Sequence, residues 1–227
     1  MKSLSLAAAA AAALGWALLT PSCSRQPVLP ALSRADSLRI LEDNLSYRTE
    51  KDEFFARDPH SPFVRDTSTR YHGINWFPVN PAFCGGSVLH TYADPETVNV
   101  MGTKGETRRQ LRYGYFEFPV PGSRGVPVML RLNAYKFTPY DGERYARYPE
   151  TLSIWFTDST TGGETYDVGR YIDAGDDVHD PSHRYVIDLN KAYNPYCAYS
   201  AMYSCAIPRK EDRLAIPLRV GEMKYHE

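Results

Sequence analysis

The densest concentration of chemically useful side chains lies in the run 187–205, IDLNKAYNPYCAYSAMYSC. It holds Asp188, Asn190 and Asn194, the tyrosines Tyr193, Tyr196, Tyr199 and Tyr203, and the cysteines Cys197 and Cys205. A second concentration, ETYDVGRYI at 164–172, carries Glu164, Tyr166 and Arg170. These residue types suit two kinds of work. Nucleophilic catalysis would use Cys197 as nucleophile, Asp188 or Glu164 as base, and Arg170 to hold an anionic group. A binding pocket would use Arg170, Glu164, Tyr166, Asn190, Asn194 and Tyr199 around a small polar or anionic molecule, because polar side chains at strand ends and turns converge on pocket mouths. A structural use competes with both, since buried charges and amides that satisfy one another lock a sheet without binding anything. An envelope protein with no small-molecule site, meeting a partner through exposed aromatics, is the corresponding functional alternative.

Cys197 and Cys205 stand eight positions apart. In an oxidising compartment that spacing allows a short-loop disulfide, and a metal pair, a reactive thiol or two inert buried cysteines compete with it. The spacing is not the short CxxC of common zinc sites. His72, His90, His179, His183 and His226 lack ligand spacing on a shared face, so no metal is expected. GxSxG, HExxH, Walker and dinucleotide motifs are all missing from the chain, and no cofactor is implied.

The elements that must position these groups are mainly strands. Leu38, Leu41 and Leu45 recur at helical spacing, with Asp36 or Ser37 as cap and Asp58-Pro59 as terminator, which predicts a helix over 36–56. Beyond it the period shifts toward two, predicting strands at 87–92, 97–101, 110–118, 128–137, 151–157, 164–172, 184–190 and 213–220. Residues 102–106 read as a hairpin turn, and Pro217 places the last strand at an edge or bulge. No long helical segment separates the strands, which favours an antiparallel β-sandwich or flattened barrel with an N-terminal helix. In a regular strand, Glu164, Tyr166 and Arg170 share a face, yet Glu164 and Arg170 stand about 20 Å apart and must find other partners. Asp158, Asp188, Asn190 and Glu222 are the available ones, and Gly169 offers a bulge that would change the facing of Arg170.

The run AYNPYCAY at 192–199, with Cys205, Leu214 and Gly221-Glu222 beyond it, resembles the signature of the domain-of-unknown-function family 1684, which includes bacterial envelope lipoproteins. FTDSTTGGETYDVGRYID at 156–173 is similar to another segment of that family, and SPF at 61–63, GINWFPVNPAF at 73–83 and YGYFEF at 113–118 are weaker matches. Glu164, Thr165, Tyr166, Gly169, Arg170 and Tyr171 match the first motif. Asn190, Tyr193, Asn194, Pro195, Cys197, Tyr199 and Cys205 match the second. Asp167 and Val168 replace glycines, and Ala206 and Arg209 interrupt a proline-rich run. The resemblance implies a fold and a site but no reaction.

Length and charge bound the rest. The 227 residues suffice for one substantial core. Lys+Arg 26 against Asp+Glu 27 leaves a net charge of -1, which provides no long-range field for nucleic acid. Residues 1–22 read as a lipoprotein-type signal peptide: Lys2 opens it, an alanine-rich apolar run spans 4–19, and Ser22 precedes Cys23. Acylated Cys23 would anchor the protein to a bacterial membrane, on the periplasmic or surface side, with lipid as its only membrane contact. Residues 23–35, with Pro27 and Pro30, read as a flexible tether, and 36–227 as a single β-rich domain. With Cys23 acylated, Cys84, Cys197 and Cys205 remain. That odd number leaves at least one unpaired thiol, for which Cys84 is the choice.

Overall fold

A computed structural model describes residues 26–226, so the expected signal and the acylation site at Cys23 lie outside the described residues. Helix α1 spans Arg34–Arg57. Its cap is Ser33, earlier than expected: the Ser33 hydroxyl oxygen accepts the Asp36 N–H at 3.0 Å and donates to Asp36 Oδ2 at 2.7 Å. This reciprocal pairing satisfies an orphan donor, and Asp36 puts negative charge on the first turn. Asp58 ends the helix, as expected. The leucine stripe that signalled the helix is exposed at Leu38, Leu41 and Leu45, while Asn44 and Phe55 are the buried positions. A short helix α2, Pro62–Arg65, follows.

The strands are β1 (Cys84–Val88), β2 (His90–Met101), β3 (Thr107–Pro121), β4 (Pro127–Phe137), β5 (Thr151–Phe156), β6 (Arg170–Asp176) and β7 (Arg184–Asp188), with helix α3 (Gly142–Arg147) between β4 and β5. They form an open antiparallel sheet of five strands, β2-β3-β4-β5-β6, and a two-stranded ribbon of β1 and β7. The mainly β expectation holds in its sandwich-like form, and the flattened-barrel alternative does not, because the sheet never closes. The hairpin turn lies where its glycines place it, with Gly102 N–H donating to Glu106 O at 2.7 Å. None of the described helices is long and apolar enough to cross a membrane.

The expected strand 87–92 is divided at Leu89 between β1 and β2, and β2 runs on through the expected 97–101; two further expected strands differ more. Residues 164–169 are turns, and β6 starts only at Arg170. The Asp158 carboxylate accepts both the N–H and the hydroxyl of Thr160 at 2.6 Å, folding 158–165 into tight turns before a ladder can form. Gly169 then makes a corner at φ +120, where a Cβ would stand 2.5 Å from Phe156 O. Glu164, Tyr166 and Arg170 therefore do not share a strand face. Residues 213–220 likewise form no named strand, only an isolated bridge between Thr157 and Arg213. Two of their carbonyls, Leu218 O and Val220 O, accept from the Arg170 side chain instead of from a neighbouring strand.

The main core joins one face of the large sheet, including Phe116, Phe118, Leu130, Leu132, Ile154, Phe156 and Ile172, to Tyr185 and Ile187 of β7 and to Leu214, Leu218 and Val220. Alternation sends Tyr135, Ser153, Trp155, Tyr171 and Asp173 to the opposite face. A bulge between Arg112 and Gly114, set against Tyr135 and Ala134 of β4, shifts the parity of β3. It places Gln110 opposite Phe137 on that second face. Gly114 permits the bulge, because a Cβ there would meet His90 O at 2.5 Å.

Candidate functional site

The two motif-bearing segments meet at the edge of β6. Tyr171 N–H donates to Tyr193 O at 2.8 Å and Tyr193 N–H donates to Tyr171 O at 2.9 Å, an antiparallel bridge between residues that sequence separates widely. On one side of this bridge lies a packed polar node. On the other lies an open cleft.

Arg170 is the centre of the node and is 1% exposed. Its Nη2 donates to Asp158 Oδ2 and to Leu218 O, each at 2.7 Å, and its Nη1 donates to Val220 O and, at 3.3 Å, to Glu222 O. Burial works against its charge and Asp158 opposes that effect. Glu222, fully buried, receives Lys51 Nζ at 2.6 Å, the Asn194 N–H at 2.7 Å and the Tyr199 hydroxyl. Asn194 Nδ2 donates to Met223 O at 2.8 Å. Tyr199 packs with Phe55, Phe63 and Tyr225, and burial, then Glu222, pushes its phenol far above the ordinary range. The node fastens α1, β6 and the loop after β7 to the C-terminal tail.

The remaining sequence-predicted residues are occupied as well. Asn190 accepts the Asn80 N–H at 2.8 Å and donates to Asn80 O at 3.0 Å. Asp188 receives Asn44 Nδ2 at 2.6 Å and Asn190 Nδ2 at 2.7 Å. Glu164 faces outward in a forked pair with Arg219 at 2.8 to 3.0 Å. Tyr166 donates to Cys197 O at 3.3 Å and reaches Cys197 Sγ at 3.6 Å.

Cys197 and Cys205 are neighbours, with Cys197 N–H donating to Cys205 Sγ at 3.2 Å, and the structure carries them as separate thiols. The hydrogen bond from Cys205, with help from Tyr166 and Thr103 and against the effect of burial, pulls the Cys197 thiol down to about 7. The same contact and burial push Cys205 up. Burial also raises Cys84, to about 12, consistent with an inert thiol. Glu150, Asp177 and His179 form a metal-like cluster among the described residues. Lys136 Nζ already reaches Glu150 at 2.7 Å and Asp177 at 2.9 Å, so an ammonium fills the role a cation would have.

The open cleft encloses about 700 Å³. Tyr47, Lys51 and Phe54 of α1 form one wall, Arg144 and Tyr148 of the α3 region another, and Tyr171, Asp173, Tyr193, Tyr196, Tyr203 and Cys205 the floor and far side. Lys51 Nζ stands 4.4 Å from the Tyr193 ring centroid, and the Tyr193 hydroxyl donates to Asp173 at 2.8 Å. Burial raises the phenols of Tyr193 and Tyr171, which keeps both rings neutral. Arg170, Asn190, Asn194 and Tyr199 do not line this cleft, whereas Tyr171, Tyr193 and Cys205 from the same motifs do. Sequence reasoning missed Tyr47, Lys51, Asp173 and Gln110. The parity break around Gly114 in YGYFEF was the available signal for Gln110.

Fold and cleft together define a mainly β domain in which an open antiparallel sheet carries an aromatic-walled hollow on its outer face. The family described as "Protein of unknown function (DUF1684)" matches residues 69–223, and the chain belongs to it. A solution NMR structure of an uncharacterized protein from Haloarcula marismortui is similar, with 27% identity and a TM-score of 0.58 over 84% of this chain and 97% of that one. No curated protein matches the chain.

Proposed function

We propose that this chain is a small-molecule-binding domain of the cell envelope, held to a membrane by acylated Cys23, with a small polar ligand seated in the aromatic cleft. One observation carries the binding reading: the family's two motifs pair through Tyr171 and Tyr193, and those two rings form the floor of the cleft. Such hollows, apolar in wall and furnished with a few fixed polar groups, are where small ligands bind. Lys51 and Arg144 border the cleft, paired with Glu222 and Asp141, and Asp173 with the Tyr193 hydroxyl supplies a hydrogen-bonding pair. The envelope address rests on the apolar leader and Ser22-Cys23.

The cysteine-hydrolase alternative has less support. Cys197 is hydrogen-bonded by Tyr166 and Cys205, and no histidine contacts either thiol among the described residues. Binding is tested by titrating the protein with benzamide and benzoate beside two cleft variants, Ser204→Trp, which fills the hollow, and Tyr148→Ala, which removes a wall. The reading expects at least one probe to bind the parent and both variants to lose it while remaining folded. Undiminished binding by both would refute it. Replacing Cys23 by alanine should move the protein from the membrane fraction to the soluble fraction, and unchanged partitioning would remove the anchor.

A further inference from the structure

Adjoining the outer cleft, and sharing Arg144, Tyr171, Asp173, Tyr193, Ser204 and Cys205 with it, is a smaller chamber of about 180 Å³. Two residues lining it, Gln110 and Trp155, are 2% and 4% exposed. Gln110 Oε1 and Trp155 Nε1 are both without a hydrogen-bond partner. A buried donor or acceptor left alone carries its full desolvation cost, so two of them beside one hollow require explanation.

Neither is a casual surface group. Gln110 is brought to this face by the bulge in β3, and Trp155 is held by stacking on Tyr135 at 4.4 Å between centroids and 17° between planes. The Tyr135 hydroxyl is in turn fixed by Asp212 at 2.9 Å. The charged groups at the chamber each have a partner: Arg108 pairs with Glu106 at 2.6 Å and with Ser204 O at 2.7 Å, Arg144 pairs with Asp141 at 2.9 Å, and Asp173 accepts the Tyr193 hydroxyl at 2.8 Å. Among the residues lining the chamber, the buried polar atoms without a partner are one neutral acceptor, Gln110 Oε1, and one neutral donor, Trp155 Nε1. An indole N–H only donates, whereas a primary amide offers both roles. The volume is several times the roughly 30 Å³ that one water occupies in the liquid, so a single buried water does not fill it.

We propose that this chamber recognises a flat, neutral head group with an amide- or lactam-type edge, its oxygen accepting from Trp155 Nε1 and its N–H donating to Gln110 Oε1. The remainder of the ligand extends into the outer cleft, so this assignment rests on the cleft reading and gives it a substrate class. A carboxylate of the same shape lacks the donor, and a hydrocarbon lacks both groups. Each leaves a buried polar atom unpaired, which is how such sites discriminate.

The test uses the full chain in mild detergent, labelled with ¹⁵N at tryptophan and tyrosine, and three probes of one size: benzamide, benzoate and toluene. Trp155→Phe assigns the indole signal. Benzamide should move that signal and bind about ten-fold more tightly than either other probe, the factor expected of one matched buried hydrogen bond. Gln110→Leu, verified as folded by its own spectrum, should erase the preference. Equal binding of toluene and benzamide, or a preference that survives Gln110→Leu, would overturn the proposal. Shifts confined to Tyr148 and Tyr203, with Trp155 unmoved, would also overturn it while leaving the cleft reading intact. Silence at both places with all three probes would overturn both.

Discussion

The node around Arg170 and the cleft beside Tyr193 are built from the same two stretches of chain, and they differ in how their charged groups are joined. In the node the guanidinium, two carboxylates, an ammonium and the buried amides are joined into one network. In the chamber adjoining the cleft a buried amide oxygen and an indole N–H have nothing. Polar density along a sequence therefore marks the framework here, where charged groups find partners even though Arg170 Nε and Asn194 Oδ1 stay single, whereas at the hollow the single atoms are an uncharged amide oxygen and an indole N–H. Because buried charge is costly unless completely paired, the most charged residues are drawn to the place where partners are most numerous.

Breaking the node should have the largest effect on stability. Arg170→Met strands the Asp158 carboxylate and three backbone carbonyls in the interior, and denaturant unfolding should show a loss of about 3–5 kcal/mol. If Arg170 instead served mainly to hold a ligand, stability would hardly change. Glu222→Gln removes the charge facing Lys51 and one acceptor shared by Asn194 and Tyr199, with an expected cost of about 2–3 kcal/mol. The cleft should respond in the opposite manner. Gln110→Leu exchanges an unpaired buried amide for an apolar side chain and should leave stability within about 1 kcal/mol of the parent, or raise it, while altering ligand preference.

The thiol pair sharpens the contrast where the two regions touch. In reduced protein, alkylation of Cys197 should rise with pH through a midpoint of about 7, and Cys205→Ala should move that midpoint up toward the ordinary thiol value of 9.0. If the native protein joins the two in a disulfide, neither will label until it is reduced, which separates the readings of this pair. The smallest expected effect is at Asp66, which the Ser200 hydroxyl first and Ser68 second pull down to about 2 from 3.8. A carboxyl lowered on folding contributes stability above its ordinary value and loses it as pH falls through the folded one. Ser200→Ala should therefore flatten the acid limb of the stability curve between about 4 and 2, and an unchanged limb would show that this contact contributes nothing.

Much of the framework was legible before any coordinates. The helix, the hairpin at 102–106 and the strand-rich body follow from periodicity and glycine placement, and Asp158 was among the partners that the distance argument left open to Arg170. The tail 213–220 was misread because alternation reveals which side chains are buried but not where backbone carbonyls are satisfied, and here a side chain from β6 takes two of them. The cleft was hidden for a related reason. Tyr171 and Tyr193 read as ordinary motif tyrosines until the bridge between them is known, and Gln110 reaches its position only through a bulge that shifts the parity of its strand. Long-range register, not composition, creates that site.

The most direct test of this account is a residue-resolved map of where a small amide binds. Titrated with benzamide, the protein should show its largest chemical-shift changes at Trp155, Tyr148 and Ser204 around the hollow, with Asp158, Asn190 and Leu218 undisturbed. Changes centred on Asp158, Asn190 and Leu218 would contradict it, because they would put the ligand in the network assigned here to holding the fold together.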